Sequence, residues 1–192
     1  MSKTRNKINR FKGLRCFFIG PFLFSLLFSG HPISIDGLYQ DWEDVPIAYI
    51  DTEDDDLGAD YSTLKITYDS EFLFIYFNFF NGEFLMQDWN DFHLYIDADN
   101  DSSTGHYVHG IGAELDWTFG DRSGYKHVEG QQSELYQNDL TLRIAPTITS
   151  TEFEVAIARG SSPLTLNGSQ SFTGGKLVFS EVEEGGDLIP NE

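Results

Sequence analysis

The feature that most constrains the fold is an alternation of apolar and polar side chains along the chain after residue 31. In one such segment Leu64, Ile66 and Tyr68 share a face, and polar residues lie between them. The same pattern recurs at residues 92–97, 111–119, 140–144 and 153–157. A period of two places successive side chains on opposite faces of a β-strand, whereas an amphipathic helix repeats every 3.6 residues or so. Because no segment carries a sustained helical repeat, the sequence predicts an all-β fold.

Residues 72–77 are apolar at every position, so they predict a central strand that is covered on both faces. A tight turn at Asp69 and Ser70 joins this strand to the one before it, and residues 176–182 predict a last strand. In total the patterns indicate nine or ten strands with polar turns between them. This number favours an antiparallel two-sheet β-sandwich, jelly-roll-like in its connections. We expect a single domain over residues 31–192.

The first 30 residues predict a signal peptide. They carry six basic side chains and no acidic one, followed by an apolar run from Cys16 to Phe28. This run is shorter than the roughly 20 residues that a membrane-spanning helix needs, so we expect cleavage and no stable membrane insertion. The expected location is secreted, periplasmic or on the cell surface. Cleavage would remove the only cysteine, which leaves no disulfide or thiolate site.

The charge of the remaining chain is strongly negative. Residues 31–192 contain 31 Asp and Glu against six Lys and Arg, which is a formal net charge of −25. Electrostatic repulsion from phosphates excludes nucleic acid as a partner. The same self-repulsion opposes folding, and bound cations would relieve it.

A loop rich in oxygen ligands follows the strand at residues 92–97. Asp97, Asp99 and Asp101 stand two residues apart, and Gly105 permits a turn after them. Calcium prefers six to eight oxygen ligands at about 2.3 to 2.6 Å, so this loop predicts a calcium site with Glu114 as a distant fourth carboxylate. The alternative is a hairpin turn whose side chains cap their own backbone amides. A second acidic segment, residues 51–56 with Asp60, is either a solvated loop or another cation site.

Aromatic and histidine side chains supply further candidates. Trp89 has polar neighbours on both sides and is the best candidate for a ring that stacks on a sugar, with the edge of the core as its alternative place. Trp117 is a second ligand-binding candidate, although its position on an apolar strand face favours core packing, as we also expect for Trp42. Four histidines are candidates for a transition-metal site: His93, His106, His109 and His127. Their spacing matches no recognised zinc motif, which favours ordinary surface positions for them. We find no nucleophile elbow or phosphate-binding glycine loop and expect no enzymatic activity.

The order of several short motifs resembles the family 9 carbohydrate-binding modules and their DOMON-like relatives. These motifs are Ile35-Asp36-Gly37, Asp41-Trp42, Asp69 before an aromatic strand, Ile96-Asp97-Ala98-Asp99, Gly112-Ala113-Glu114 and Glu154-Val155-Ala156-Ile157. The resemblance implies a β-sandwich with structural calcium, to which Asp97, Asp99 and Glu114 correspond. In the sugar-binding members it also implies aromatic rings that contact a saccharide.

Three functions follow as expectations. The first is a non-catalytic extracellular module that binds an oligo- or polysaccharide and is stabilised by calcium. The second is a cell-surface interaction or scaffold subunit. The third is a haem-binding electron-transfer domain of the DOMON-like type, for which Met86, the only methionine after the signal segment, would be an axial ligand.

Overall fold

The computed structural model describes residues 32–53, 58–88, 90–165, 172–182 and 186–191. Within these ranges the fold is all-β, as predicted, with thirteen strands rather than nine or ten. The strands are β1 (Ile47–Ile50), β2 (Tyr61–Tyr68), β3 (Phe72–Phe79), β4 (His93–Asp97), β5 (His106–Val108), β6 (Ile111–Ala113), β7 (Leu115–Thr118), β8 (Ser123–Val128), β9 (Gln131–Tyr136), β10 (Arg143–Ala145), β11 (Glu152–Ala158), β12 (Lys176–Ser180) and β13 (Leu188–Ile189). A 3-10 helix spans Gln40–Trp42, and α1 spans Gln137–Leu140.

Two antiparallel sheets form a sandwich. The first sheet has the strand order β1-β2-β3-β11-β10 and the second has the order β13-β12-β4-β7-β8-β9. The strands β5 and β6 form a separate two-stranded hairpin. No helix within the described residues is long and apolar enough to cross a membrane.

Two predicted strands are divided in the structure. The segment 111–119 breaks at Glu114 into β6 and β7, because the backbone of Glu114 leaves the β5–β6 hairpin and its N–H donates to Ile96 O of the second sheet. The segment 140–144 begins as the last residue of α1 and becomes strand only at Arg143. Thr141 has a φ of 48°, which ends the helix in a left-handed turn.

The core between the sheets is dominated by aromatic rings. The centroid of Phe77 in β3 lies 4.5 Å from that of Phe179 in β12 and 5.8 Å from that of Phe153 in β11. Trp117 is 1% exposed within this cluster. The ligand-binding role considered for Trp117 is therefore wrong, because a ring buried between two sheets has no face free for a sugar. Burial of large rings contributes most of the stabilisation of such a core.

The outer face of the first sheet is covered by the segment that precedes β1. Trp42 and Val45 pack there on Phe74 and Tyr76 of β3, which explains why that strand is apolar on both faces. Glu154 of β11 anchors the segment and is 0% exposed. Its Oε1 accepts hydrogen bonds from Asp36 N and Gly37 N, both at 2.6 Å, and its Oε2 accepts one from Trp42 Nε1 at 2.8 Å.

The outer face of the second sheet is partly covered by the β5–β6 hairpin. Ile111 and Ala113 of β6 pack on Tyr95 of β4 and Val178 of β12. The hairpin folds back over the strand from which the chain has just emerged. It leaves the rest of this face, over β7 and β8, open beside it.

Candidate functional site

The polar side chains of the second sheet converge on its outer face. Asp116 of β7 lies opposite Tyr95 of β4 on one side and Tyr125 of β8 on the other. Because side chains alternate along each strand, His93 and Asp97 share this face of β4, and His127 shares it on β8. Two clusters of potential metal ligands form here, one at each end of the loop that leads into the hairpin.

The first cluster contains the carboxylates of Asp97, Asp99 and Glu114. One oxygen from each lies within 4.8 Å of the other two. Asp97 is 0% and Glu114 1% exposed, whereas Asp99 faces solvent. The structure thus brings together three of the four residues that the sequence predicted as calcium ligands.

The loop between β4 and β5 is held around these carboxylates. Glu114 Oε2 accepts a hydrogen bond from Ala98 N at 2.7 Å, and the Thr104 hydroxyl lies 3.0 Å from both carboxylate oxygens of Asp99. Gly105 has a φ of 66°, and a Cβ there would lie 2.5 Å from Ala113 O. Only glycine fits this turn without displacing the hairpin backbone.

The electrostatics of the cluster are unfavourable without a cation. Burial raises the pKa of Glu114, and the nearby carboxylates of Asp99 and Asp97 raise it further, against the hydrogen bonds from Ala98 and Thr104. Asp97 Oδ2 is buried and has no hydrogen-bond partner among the described residues. A buried acceptor that lacks a donor is costly, and a bound cation would satisfy it.

Asp101 does not join the cluster, contrary to the sequence prediction. Its Oδ1 accepts hydrogen bonds from Ser103 N at 2.9 Å and Ser103 Oγ at 2.7 Å, so the carboxylate caps its own turn. These bonds lower the pKa of Asp101. Asn100, with a φ of 60°, redirects the chain between Asp99 and Asp101 and breaks the alternation on which the prediction relied.

The second acidic segment is only partly described, because residues 54–57 lie outside the described ranges. Asp51 is 5% exposed, and its Oδ1 accepts hydrogen bonds from Thr52 N and Asn191 Nδ2, both at 2.8 Å. Asp60 is 1% exposed. These two side chains are therefore parts of the interior rather than of a solvated loop.

The second cluster contains His106, Asp116 and His127, each from a different strand. His106 Nδ1 lies 3.7 Å and His127 Nε2 lies 4.0 Å from Asp116 Oδ2. The two imidazole centroids are 5.0 Å apart. His93 Nδ1 lies 3.2 Å from the other oxygen of Asp116. Burial and the neighbouring His106 lower the pKa of His127, an effect that Asp116 opposes, so neutral imidazole is favoured there.

Sequence reasoning missed this cluster because its members are far apart in the chain. The available signal was the polar faces of three strands, which carry His93, Asp116 and His127. That signal becomes a site only once β4, β7 and β8 are known to be neighbours and the hairpin is known to place His106 above them.

A polar cleft of about 580 Å³ opens over this cluster. Tyr107 of the hairpin and Tyr125 of β8 line it and are 69% and 42% exposed. Gln131 and Gln132 of β9 also line it, and Gln132 lies opposite His127 on the same face of the sheet. The cleft therefore presents aromatic rings beside hydrogen-bonding groups, an arrangement that suits an amphipathic polar ligand.

A second cavity, of about 420 Å³, lies at one end of the sandwich. Leu64 and Ile66 of β2 line it from the first sheet, and Ile96 and Leu177 line it from the second. Its wall is mostly apolar, with Arg159 and Lys176 among the residues that line it.

The remaining sequence candidates have different outcomes. Trp89 lies outside the described residues. Met86 is 1% exposed inside the main core cluster, so its sulfur is not accessible from the surface in this structure. This burial disfavours Met86 as an axial ligand, and the haem-binding alternative stays a prediction.

Comparisons with protein-family models, with curated proteins and with solved structures gave no match for this chain. The resemblance to family 9 carbohydrate-binding modules accordingly stays a prediction from the motif order.

Proposed function

We propose that this domain is a secreted, non-catalytic carbohydrate-binding module that is stabilised by calcium. The observation that carries the proposal is the cleft on the outer face of the second sheet, in which exposed tyrosine rings stand beside amide, imidazole and carboxylate groups. Sugars present apolar C–H faces and a ring of hydroxyl groups, and such a surface complements both kinds of side chain.

The tyrosines supply the stacking part of the site. Tyr107 of the hairpin and Tyr125 of β8 are both among the residues that line the cleft, so a saccharide bound there would lie beside two different elements. Their exposure in the free protein means that a ligand removes apolar ring surface from water when it binds.

Calcium would support this site by fixing the hairpin. The chain leaves β4 at Asp97 and Asp99 and returns to β7 at Glu114. A cation bound by these three carboxylates would therefore join the two ends of the segment that contains the β5–β6 hairpin and Tyr107. Calcium suits these all-oxygen ligands and their irregular loop geometry better than magnesium does. The ion in this proposal is therefore structural, and the sugar contacts are made by side chains.

The test is calorimetric titration of soluble oligosaccharides in calcium buffer, after a screen of immobilised glycans. We expect Tyr125→Ala to weaken binding of the best glycan about tenfold, which corresponds to about 1.4 kcal/mol. The matched control is Tyr68→Ala, which removes an exposed tyrosine from the first sheet.

Equal glycan affinities in Tyr125→Ala and Tyr68→Ala would mean that the sugar does not bind in this cleft. If no glycan in a broad panel binds wild-type protein, the carbohydrate proposal is wrong, and capture of a protein partner would then favour the scaffold function.

A further inference from the structure

We propose that His106, Asp116 and His127 form a second metal site, which binds one divalent transition ion, with zinc the best fit. This site uses different residues and a different ligand chemistry from the acidic calcium site. It does not depend on whether the cleft binds a sugar.

The geometry of the three ligand atoms is close to that of a metal centre. Tetrahedral zinc with bonds of about 2.0 to 2.1 Å separates its ligand atoms by about 3.4 Å. The two imidazole nitrogens lie 3.7 and 4.0 Å from the same Asp116 oxygen, and all three ligand atoms lie within 4.8 Å of one another. Small rotations of the side chains therefore complete the coordination without any change in the backbone.

Within the described residues the two nitrogen atoms lie near the Asp116 carboxylate but form no hydrogen bond. His106 Nδ1 and His127 Nε2 are both shielded from solvent and lack a hydrogen-bond partner. A buried polar atom without a partner calls for an explanation, and an ion or an ordered water is one of the standard ones. Two such atoms that converge on one carboxylate oxygen point to a common ligand.

Asp116 is already oriented for coordination. Its Oδ1 lies 3.2 Å from His93 Nδ1, and the His93 ring in turn stacks on Tyr95, with centroids 5.2 Å apart and planes at 2°. This leaves Oδ2 directed toward the two other imidazoles. An outer residue that holds a ligating carboxylate in place is typical of metal sites, and His93 is the positioning residue here.

The donor set selects the class of ion. Two imidazoles and one carboxylate suit zinc and its transition-metal neighbours, whereas calcium takes oxygen ligands almost exclusively. Three protein ligands also leave a fourth position that faces the cleft, where a water molecule or an oxygen of a bound molecule completes the shell.

The experiment is titration of tag-free, folded protein with zinc in saturating calcium and without any sugar. We expect one equivalent to bind, and we expect His106→Gln and His127→Gln each to weaken binding by more than about 100-fold, since even outer-shell changes cost 10- to 100-fold. His109→Gln is the matched control from the same hairpin, outside the three-ligand set, and should bind like wild type. Cobalt as a probe should show the intense visible bands of a four-coordinate site in wild type and in His109→Gln.

Absence of zinc binding by wild type would overturn the proposal. Equal zinc affinity in His127→Gln and His109→Gln would also overturn it. Circular dichroism of each variant separates a lost ligand from a lost fold. Because the titration contains no sugar and calcium is saturating throughout, its outcome is independent of the carbohydrate and calcium proposals.

Discussion

Calcium is expected to raise the free energy of unfolding of this domain by about 2.7 kcal/mol when the free ion is about 100 times its dissociation constant. The reason is that the proposed ion would bind Asp97, Asp99 and Glu114 together only in the folded chain, where it would also satisfy the buried Asp97 Oδ2. The measurement is urea unfolding in calcium and in chelator. Asp99→Asn should abolish most of the gain, and it is the variant of choice because Asp99 is exposed and its replacement least disturbs the metal-free fold.

Asp101→Asn is the matched control from the same loop. Its carboxylate bonds to Ser103 rather than joining the cluster, so this variant should keep the calcium response. If Asp101→Asn loses the calcium response as fully as Asp99→Asn does, Asp101 is a calcium ligand, as the sequence predicted. An unfolding curve that does not move with calcium in wild type would remove the calcium site altogether.

Removal of the Glu154 carboxylate is expected to lower the free energy of unfolding by about 3 kcal/mol in Glu154→Ala. The side chain is buried and accepts hydrogen bonds from Asp36 N, Gly37 N and Trp42 Nε1, so its loss leaves three donors without an acceptor. Glu154→Gln should cost about 2 kcal/mol, since one amide oxygen can still accept while the amide nitrogen faces the Trp42 donor. Urea unfolding in constant calcium measures both.

The control for this prediction is Glu43→Gln in the same covering segment. Glu43 is exposed, and its replacement should change the free energy of unfolding by less than about 0.5 kcal/mol. Similar values for the Glu43 and Glu154 variants would mean that the covering segment contributes nothing through Glu154 to the stability of the first sheet.

The architecture was predictable from the sequence where local periodicity decides it. Alternation identified β2, β4 and β11, and the doubly apolar run identified β3 as a central strand, because the face that a strand side chain occupies depends only on its position in that strand. The burial of Trp117 followed from the same rule, whereas Trp42 lies in a 3-10 helix to which the strand period does not apply. The spacing of Asp97 and Asp99 likewise brought two ligands together at the end of one strand.

The divided strand, the position of Asp101 and the histidine cluster depend on contacts between residues that are distant in the chain. The periodicity of the sequence carries no information about such contacts. Glu114 divides a predicted strand because its backbone bonds to Ile96, and Asn100 turns Asp101 away from the ligands that its spacing suggested. The histidine cluster requires two strand pairings, β4 with β7 and β7 with β8, and a hairpin folded over them. The pattern of a strand predicts which of its side chains share a face. Which strands become neighbours depends on the packing of the whole sandwich. For that reason the all-β fold could be predicted from the sequence, whereas the cluster of His106, Asp116 and His127 forms only in the tertiary structure.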